Sequence, residues 1–167
     1  MIVVDSNVIA YCWIRSERTE LAQRVRRRDP QWHAPVLWRS ELRSALAVYL
    51  SRGEIEAERA VQTMSAAEGA LAGCEHQVSS GKVLQLAASS RLSAYDCEFV
   101  ALAEFLAVPL VTEDRAVLKA FPGVALTMEA FLGSLAPQSP AAHEKRTSYR
   151  GTARRGVVTR FKRRGRA

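Results

Sequence analysis

Residues 91–114 read Arg-Leu-Ser-Ala-Tyr-Asp-Cys-Glu-Phe-Val-Ala-Leu-Ala-Glu-Phe-Leu-Ala-Val-Pro-Leu-Val-Thr-Glu-Asp, and the order of signals in this stretch decides the fold. Ser93 has the chemistry of a helix N-cap, since its hydroxyl can accept from the unpaired amides of a first turn. Phe99, Leu102, Ala103 and Leu106 then recur at three-and-four spacing, which predicts a helix. Pro109 disfavours helical geometry in Val108 and ends it. Leu110-Val111 predicts a short buried strand that stops at Thr112 and Asp114. One carboxylate, Asp96, therefore opens a helix. Another, Asp114, lies just past a strand's carboxyl end, the edge where open parallel α/β sheets bind ligands.

The N-terminal part repeats this arrangement. Ile2-Val3-Val4 is a continuous β-branched run, the pattern of a strand covered on both faces. Asp5-Ser6-Asn7 follows at once, and a helix begins with Val8 and Ile9. Asp5 thus sits at a second strand's carboxyl end, although any of the three polar residues can instead cap the helix. Glu17 to Arg28 predicts a polar helix with Leu21 and Val25 inward and a charged cluster at Arg24, Arg26, Arg27 and Arg28. Trp32, Ala34 and Val36 alternate as a short strand, with Pro35 marking its end or a sheet edge.

Leu37 to Arg52 is the next expected helix, closed by Gly53. Its apolar stripe runs Trp38, Leu42, Ala45, Leu46 and Tyr49, and Glu41 falls inside it. Burying an unpaired carboxylate costs several kcal/mol, so Glu41 should be neutralised, paired with Arg39, Arg43 or Arg52, or bound to a cation. Capping cannot explain an acid in mid-helix. Further helices are expected over Glu54 to Leu71, with Ile55, Ala60 or Val61, and Met64 inward, and over Val83 to Ser90. Gln77-Val78 reads as a short strand, Ala116 to Leu118 as a short helix and Val124 to Leu126 as a last strand. Thr127 caps a final helix carrying Met128, Phe131, Leu132 and Leu135. Strands alternating with helices imply βαβ crossovers, hence an α/β fold of three layers, α/β/α, with a small, mainly parallel sheet between helices.

The totals suit one soluble domain: 167 residues, 48% hydrophobic, 25% charged. No apolar run reaches the roughly 18–20 residues that span a bilayer, so no membrane role is expected. Nothing at the start resembles a signal peptide. Cys12, Cys74 and Cys97 are scattered and odd in number, which fits reduced thiols and a cytoplasmic location. His33, His76 and His143 show no zinc spacing. The net charge is +7, yet residues 141–167 hold ten Lys or Arg against Glu144 alone, a local +9 that leaves −2 for the rest. Pro137-Gln138-Ser139-Pro140 marks the boundary, giving a domain over residues 1–136 and a basic tail over 137–167 with too little to bury to fold alone.

Four acids are left to converge: Asp5, Glu41, Asp96 and Asp114. Ser93-x-x-Asp96 also fits a capping box, and Asp114 can cap the short helix behind it. At ~5 Å and an effective dielectric of ~20, each pair of carboxylates repels by roughly 3 kcal/mol. Such a site holds protons or takes up a hard cation. An all-oxygen donor set suits Mg²⁺ or Mn²⁺, and the reaction class is metal-assisted phosphodiester hydrolysis.

The motifs Ile2-Val3-Val4-Asp5-Ser6-Asn7-Val8-Ile9, Arg39-Ser40-Glu41-Leu42, Tyr95-Asp96-Cys97-Glu98-Phe99-Val100-Ala101-Leu102-Ala103 and Pro109-Leu110-Val111-Thr112-Glu113-Asp114-Arg115 resemble those of PIN-domain ribonucleases of the VapC toxin family, from Met1 to about Leu135. The resemblance implies a Mg²⁺-dependent endoribonuclease acting on RNA, paired with a VapB-like antitoxin in a type II toxin–antitoxin system and forming a homodimer. By motif, Asp5, Glu41, Asp96 and Asp114 would be the acidic metal site, with Asn7 and Thr112 positioning ligands or water beside it. Trp13, Trp32 and the Arg24–Arg28 cluster are candidate antitoxin contacts. The tail departs from the family pattern. A haloacid-dehalogenase-like phosphatase would need a second aspartate where Asn7 stands. The remaining alternative is a catalytically inactive PIN-like module that binds nucleic acid through its basic tail.

Overall fold

The computed structural model describes residues 1–134, so the expected tail lies outside the described residues. Five short strands form one sheet: β1 (Ile2–Val4), β2 (Trp32–Pro35), β3 (Glu75–His76), β4 (Leu110–Val111) and β5 (Ala125–Leu126). The order is β3-β2-β1-β4-β5 and every pairing is parallel, so the sheet expected to be mainly parallel is wholly so. Val3 faces His33 on one side and Leu110 on the other. The chain builds outward from β1 to β2 and β3, then returns to place β4 and β5 on the opposite flank. The strand order reverses between β1 and β4, and the crevice beyond their carboxyl ends is the switch point of the sheet.

Eight helices cover the sheet among the described residues: α1 (Ser6–Trp13), α2 (Thr19–Arg28), α3 (Trp38–Ser51), α4 (Ala57–Ala70), α5 (Ser80–Ser90), α6 (Ala94–Leu106), α7 (Arg115–Ala120) and α8 (Met128–Gly133). The apolar runs that predicted strands are buried on both faces, with Val3, Val4, Leu110 and Val111 fully covered. From α3 the core takes Trp38, Leu42 and Leu46. From α6 it takes Phe99, Leu102 and Ala103. No helix among the described residues is long and apolar enough to cross a membrane.

Several expectations shift. In α2, Ala22 and Val25 are buried while Leu21 is half-buried. Helix α4 starts at Ala57 because Gly53, at φ +68°, turns the chain and Glu54 donates its amide back to the Tyr49 carbonyl. Its inward residues are Ala60, Thr63 and Ala67, and Val61 is exposed. Strand β3 lies two residues before Gln77-Val78. Pro35 ends β2 as expected, but β2 lies between β1 and β3 and is no edge. The ladder amides of Ala34 and Val36 go to the Cys74 and His76 carbonyls, so the missing proline donor falls on the other side. Helix α6 stops at Leu106 with Ala107 in a left-handed cap, before Pro109.

Candidate active site

Four elements deliver acids to the carboxyl edge of the sheet: the ends of β1 and β4 and the first turns of α3 and α6. Asp5 occupies the N-cap position of α1 with extended backbone (φ −74°, ψ 155°), yet its side chain makes no cap bond. Its Oδ2 instead accepts from Thr112 Oγ1 at 2.5 Å and from Asn7 Nδ2 at 2.8 Å. Thr112, fully buried at the end of β4, accepts in turn from the Asp114 amide at 3.0 Å and from Asn7 Nδ2 at 3.3 Å. Asn7 Oδ1 accepts from the Glu113 amide at 3.3 Å. Asn7 and Thr112 therefore bridge the two strand ends and hold the Asp5 carboxylate.

Glu41 lies in the first turn of α3, half-buried. None of the three arginines considered as its partner reaches it. Arg39 pairs with Glu68 and Glu75, and Arg43 turns back to the Ser40 hydroxyl and the Arg39 carbonyl. Arg52 lies 3.8 Å from Glu54. The partner of Glu41 is the Ser6 hydroxyl, which donates to its Oε2. A hydroxyl orients a carboxylate without cancelling its charge. Burial, with Asp96 nearby, pushes the Glu41 carboxyl above its ordinary value. Asp5 is pushed up to about 6, first by burial and then by Glu41 and Asp96, against the lowering effect of the Thr112 bond.

Asp96 completes the group and also serves its helix. Its Oδ2 accepts from the Ser93 hydroxyl at 2.6 Å and the Ser93 amide at 3.3 Å, while Ser93 Oγ accepts from the Asp96 amide at 3.1 Å. The capping box is present, and the same carboxylate bears on Asp5 and Glu41. Asp114 caps α7, its Oδ1 accepting from the Ala116 and Val117 amides at 2.7 and 3.0 Å. Its backbone amide joins it to the rest through the Thr112 hydroxyl. The charges raising Asp5 are Glu41 and Asp96.

Asp5, Glu41 and Asp96 thus interact through their charges at the switch point, with Asp114 at the rim. Among the described residues, no three acidic, histidine or cysteine side chains close into a ligand shell. The donor chemistry nevertheless fits a hard divalent cation. The donors are all oxygen, three carboxylates repel one another, and the arginines near Glu41 are engaged elsewhere. Two contributors escaped the sequence reading. Ser6 was visible only as a cap candidate. Glu98, raised by burial and by Glu41, stood inside a motif without being singled out.

The expected partner contacts need correction. Trp32 is fully buried and Trp13 is half-buried, meeting edge to face at 5.9 Å between ring centroids. The Arg26 guanidinium lies 5.3 Å from the Trp13 ring centre and 5.2 Å from that of Trp32. Arg28 packs over Phe131 and donates to the Leu132 and Ser134 carbonyls. Half of that arginine cluster is internal mortar, and Arg24 and Arg27 are its exposed members.

A family model of the PIN domain matches residues 2–123. No curated protein matches the sequence. Among solved structures, the chain is similar to the crystal structure of PAE2754 from Pyrobaculum aerophilum, with a TM-score of 0.64 and 20% identity over 78% of this chain and 92% of that one. At that identity the likeness is one of fold. The family model covers β1 to α7 and every acid of the switch point, and the chain belongs to the PIN-domain family, whose fold is of the nuclease type.

Proposed function

We propose that this protein is a metal-dependent endoribonuclease that hydrolyses RNA phosphodiester bonds with Mg²⁺, or Mn²⁺ in its place. The observation that carries the reading is Glu41, an acid in the first turn of α3 whose carboxylate has, among the described residues, a hydroxyl as its only hydrogen-bond partner, beside Asp5 and Asp96. Asp5, Glu41 and Asp96 would hold the cation, with Asp114 joining through Oδ2, the oxygen its helix cap leaves free among the described residues. A divalent ion so bound supplies an oriented, more acidic water and offsets charge on the phosphodiester. The chain's own groups do the rest. Thr112 and Asn7 fix the Asp5 carboxylate, Ser6 fixes that of Glu41, and the Ser93 box fixes that of Asp96.

The motif resemblance supports a narrower reading: the toxin of a VapBC-type pair, a homodimer held in check by a VapB-like antitoxin. The +9 charge of residues 141–167 favours the second reading, an inactive PIN-like module that attaches to nucleic acid without cutting. Total RNA incubated with the protein, with Mg²⁺ or with EDTA, and its ends mapped by sequencing, decides between them. Cleavage should occur only with the ion and disappear in Asp5→Asn and Asp96→Asn chains that keep their circular dichroism. RNA binding without cleavage in either ion would leave the binding module. A small protein encoded beside this chain and retained on it by pull-down supports the toxin pair.

A further inference from the structure

A cavity of about 310 Å³ opens at the same sheet edge, lined by Val36, Leu37, His76, Gln77, Val78 and Glu98. It is made by the chain leaving β2 and β3 and by the early turns of α6, and the carbonyl of Leu37 in its wall accepts from the Glu41 amide at 3.2 Å. Its walls differ from the acid group beside it. Val36, expected in the strand with Trp32 and Ala34, lies just past it and is 43% exposed. Leu37 and Val78 are half-buried, and Gln77 presents an exposed amide. The His76 ring is held by His33, with Nε2 2.8 Å from the His33 Nδ1.

Glu98 supplies the charge of this cavity. It is half-buried, and among the described residues it has no ion pair with Lys or Arg. It follows Asp96 by two residues, which places it about 200° further round α6. Glu98 is thereby turned from the Asp96 side of α6 and lines the cavity.

We propose that this cavity receives one nucleobase of the RNA next to the scissile bond, a base bearing an exocyclic amine, with Glu98 accepting a hydrogen bond from that amine. The proposal rests on the ribonuclease reading. A phosphate does not fit, because the lining carries one carboxylate and no Lys or Arg. The cavity is shallow and open to solvent, and its volume lies at the lower end for small-molecule pockets, so one base could lie against it. Aliphatic walls and an imidazole offer the flat apolar contact that unstacked RNA bases take. A carboxylate has acceptors only, so it matches the amine of cytosine or adenine, and both the N1–H and the amine of guanine. Uracil has a carbonyl oxygen where cytosine has the amine, and offers the carboxylate only its N3–H, flanked by two repelling carbonyl oxygens.

The test has two arms, both with the full-length chain. In the first, a random-sequence oligoribonucleotide pool is cut by the natural protein and by Glu98→Gln, and the ends are sequenced. At one position beside the cut, the natural protein should disfavour uracil by about tenfold. Glu98→Gln, whose amide both donates and accepts, should bring that ratio within about threefold. In the second arm, fluorescence anisotropy in EDTA measures binding of 2′-O-methyl tetranucleotides differing at one base, and the same ratios are expected. Identical base preferences in the natural and Glu98→Gln proteins, or a natural preference for uracil, would overturn the proposal. Absence of cleavage would sink the nuclease reading alone, and the binding ratios would still judge the cavity.

Discussion

The Asp5→Asn chain should be more stable than the natural one at neutral pH, and inactive. Burial and the charges of Glu41 and Asp96 raise the Asp5 carboxyl from the ordinary 3.8 to about 6. That is roughly two pH units at 1.36 kcal/mol each, so keeping Asp5 ionised in the folded chain costs up to about 3 kcal/mol. Asparagine carries no charge, and its Oδ1 can still accept from Thr112 Oγ1 and Asn7 Nδ2. Allowing about 1 kcal/mol for weaker hydrogen bonds to a neutral acceptor, the net gain is about 1–2 kcal/mol. For a domain of this size that is roughly 3–6 °C in Tm. The pH dependence follows from the folded value lying above the unfolded one. Between about pH 4 and pH 6 the folded chain keeps a proton that the unfolded chain has lost, so the natural protein loses stability as pH rises through that window. The variant lacks the group and does not. Its advantage should be complete above about pH 7 and absent near pH 4. Melting curves in EDTA at pH 4.5, 6 and 7.5 measure this directly. A variant that melts below the natural chain at pH 7.5, with a difference that ignores pH, would refute the idea of a carboxylate held at a cost.

Other perturbations address other links. Arg39→Met removes the fork to Glu75 and the pair with Glu68, contacts that tie α3 to α4 and β3, and should lower the unfolding free energy by about 1–2 kcal/mol in urea titrations. An unchanged midpoint would show those pairs to be surface decoration. Ser93→Ala breaks the capping box and should cost about 1 kcal/mol, with RNA cleavage falling further than stability because Asp96 is released as well. A chain ending at residue 136 should keep its circular dichroism and its cleavage, while RNA binding at low salt weakens and depends less steeply on ionic strength. Loss of cleavage on truncation would place the tail in the reaction.

What could be read from sequence here was what is local. The Ser93–Asp96 box and the Thr127 cap lie within four residues, and each is present as expected. The strands β1 and β4 showed as β-branched or apolar runs because both of their faces are covered. Strand β3 did not, since Glu75-His76 has no strand pattern. It exists because the amides of Ala34 and Val36 need the Cys74 and His76 carbonyls, and because two imidazoles meet across it. The site divided in the same way. That Glu41 was anomalous followed from helical spacing. That Arg39 turns instead to Glu68 and Glu75, 29 and 36 residues on, and that Ser6 reaches Glu41 across 35, depends on packing no local rule contains.

The hydrogen bond from Thr112 to Asp5 spans 107 positions of chain. A polypeptide emerging from the ribosome carries Asp5, Ser6 and Glu41 long before it carries Thr112 and Asp114. Until β4 has been synthesised and has inserted beside β1, the first carboxylate has Asn7 but not the Thr112 hydroxyl to hold it. On the ribonuclease reading, interrupted translation products that stop short of β4 would thus lack the bridge between the two strand ends, and any cutting power would wait for it.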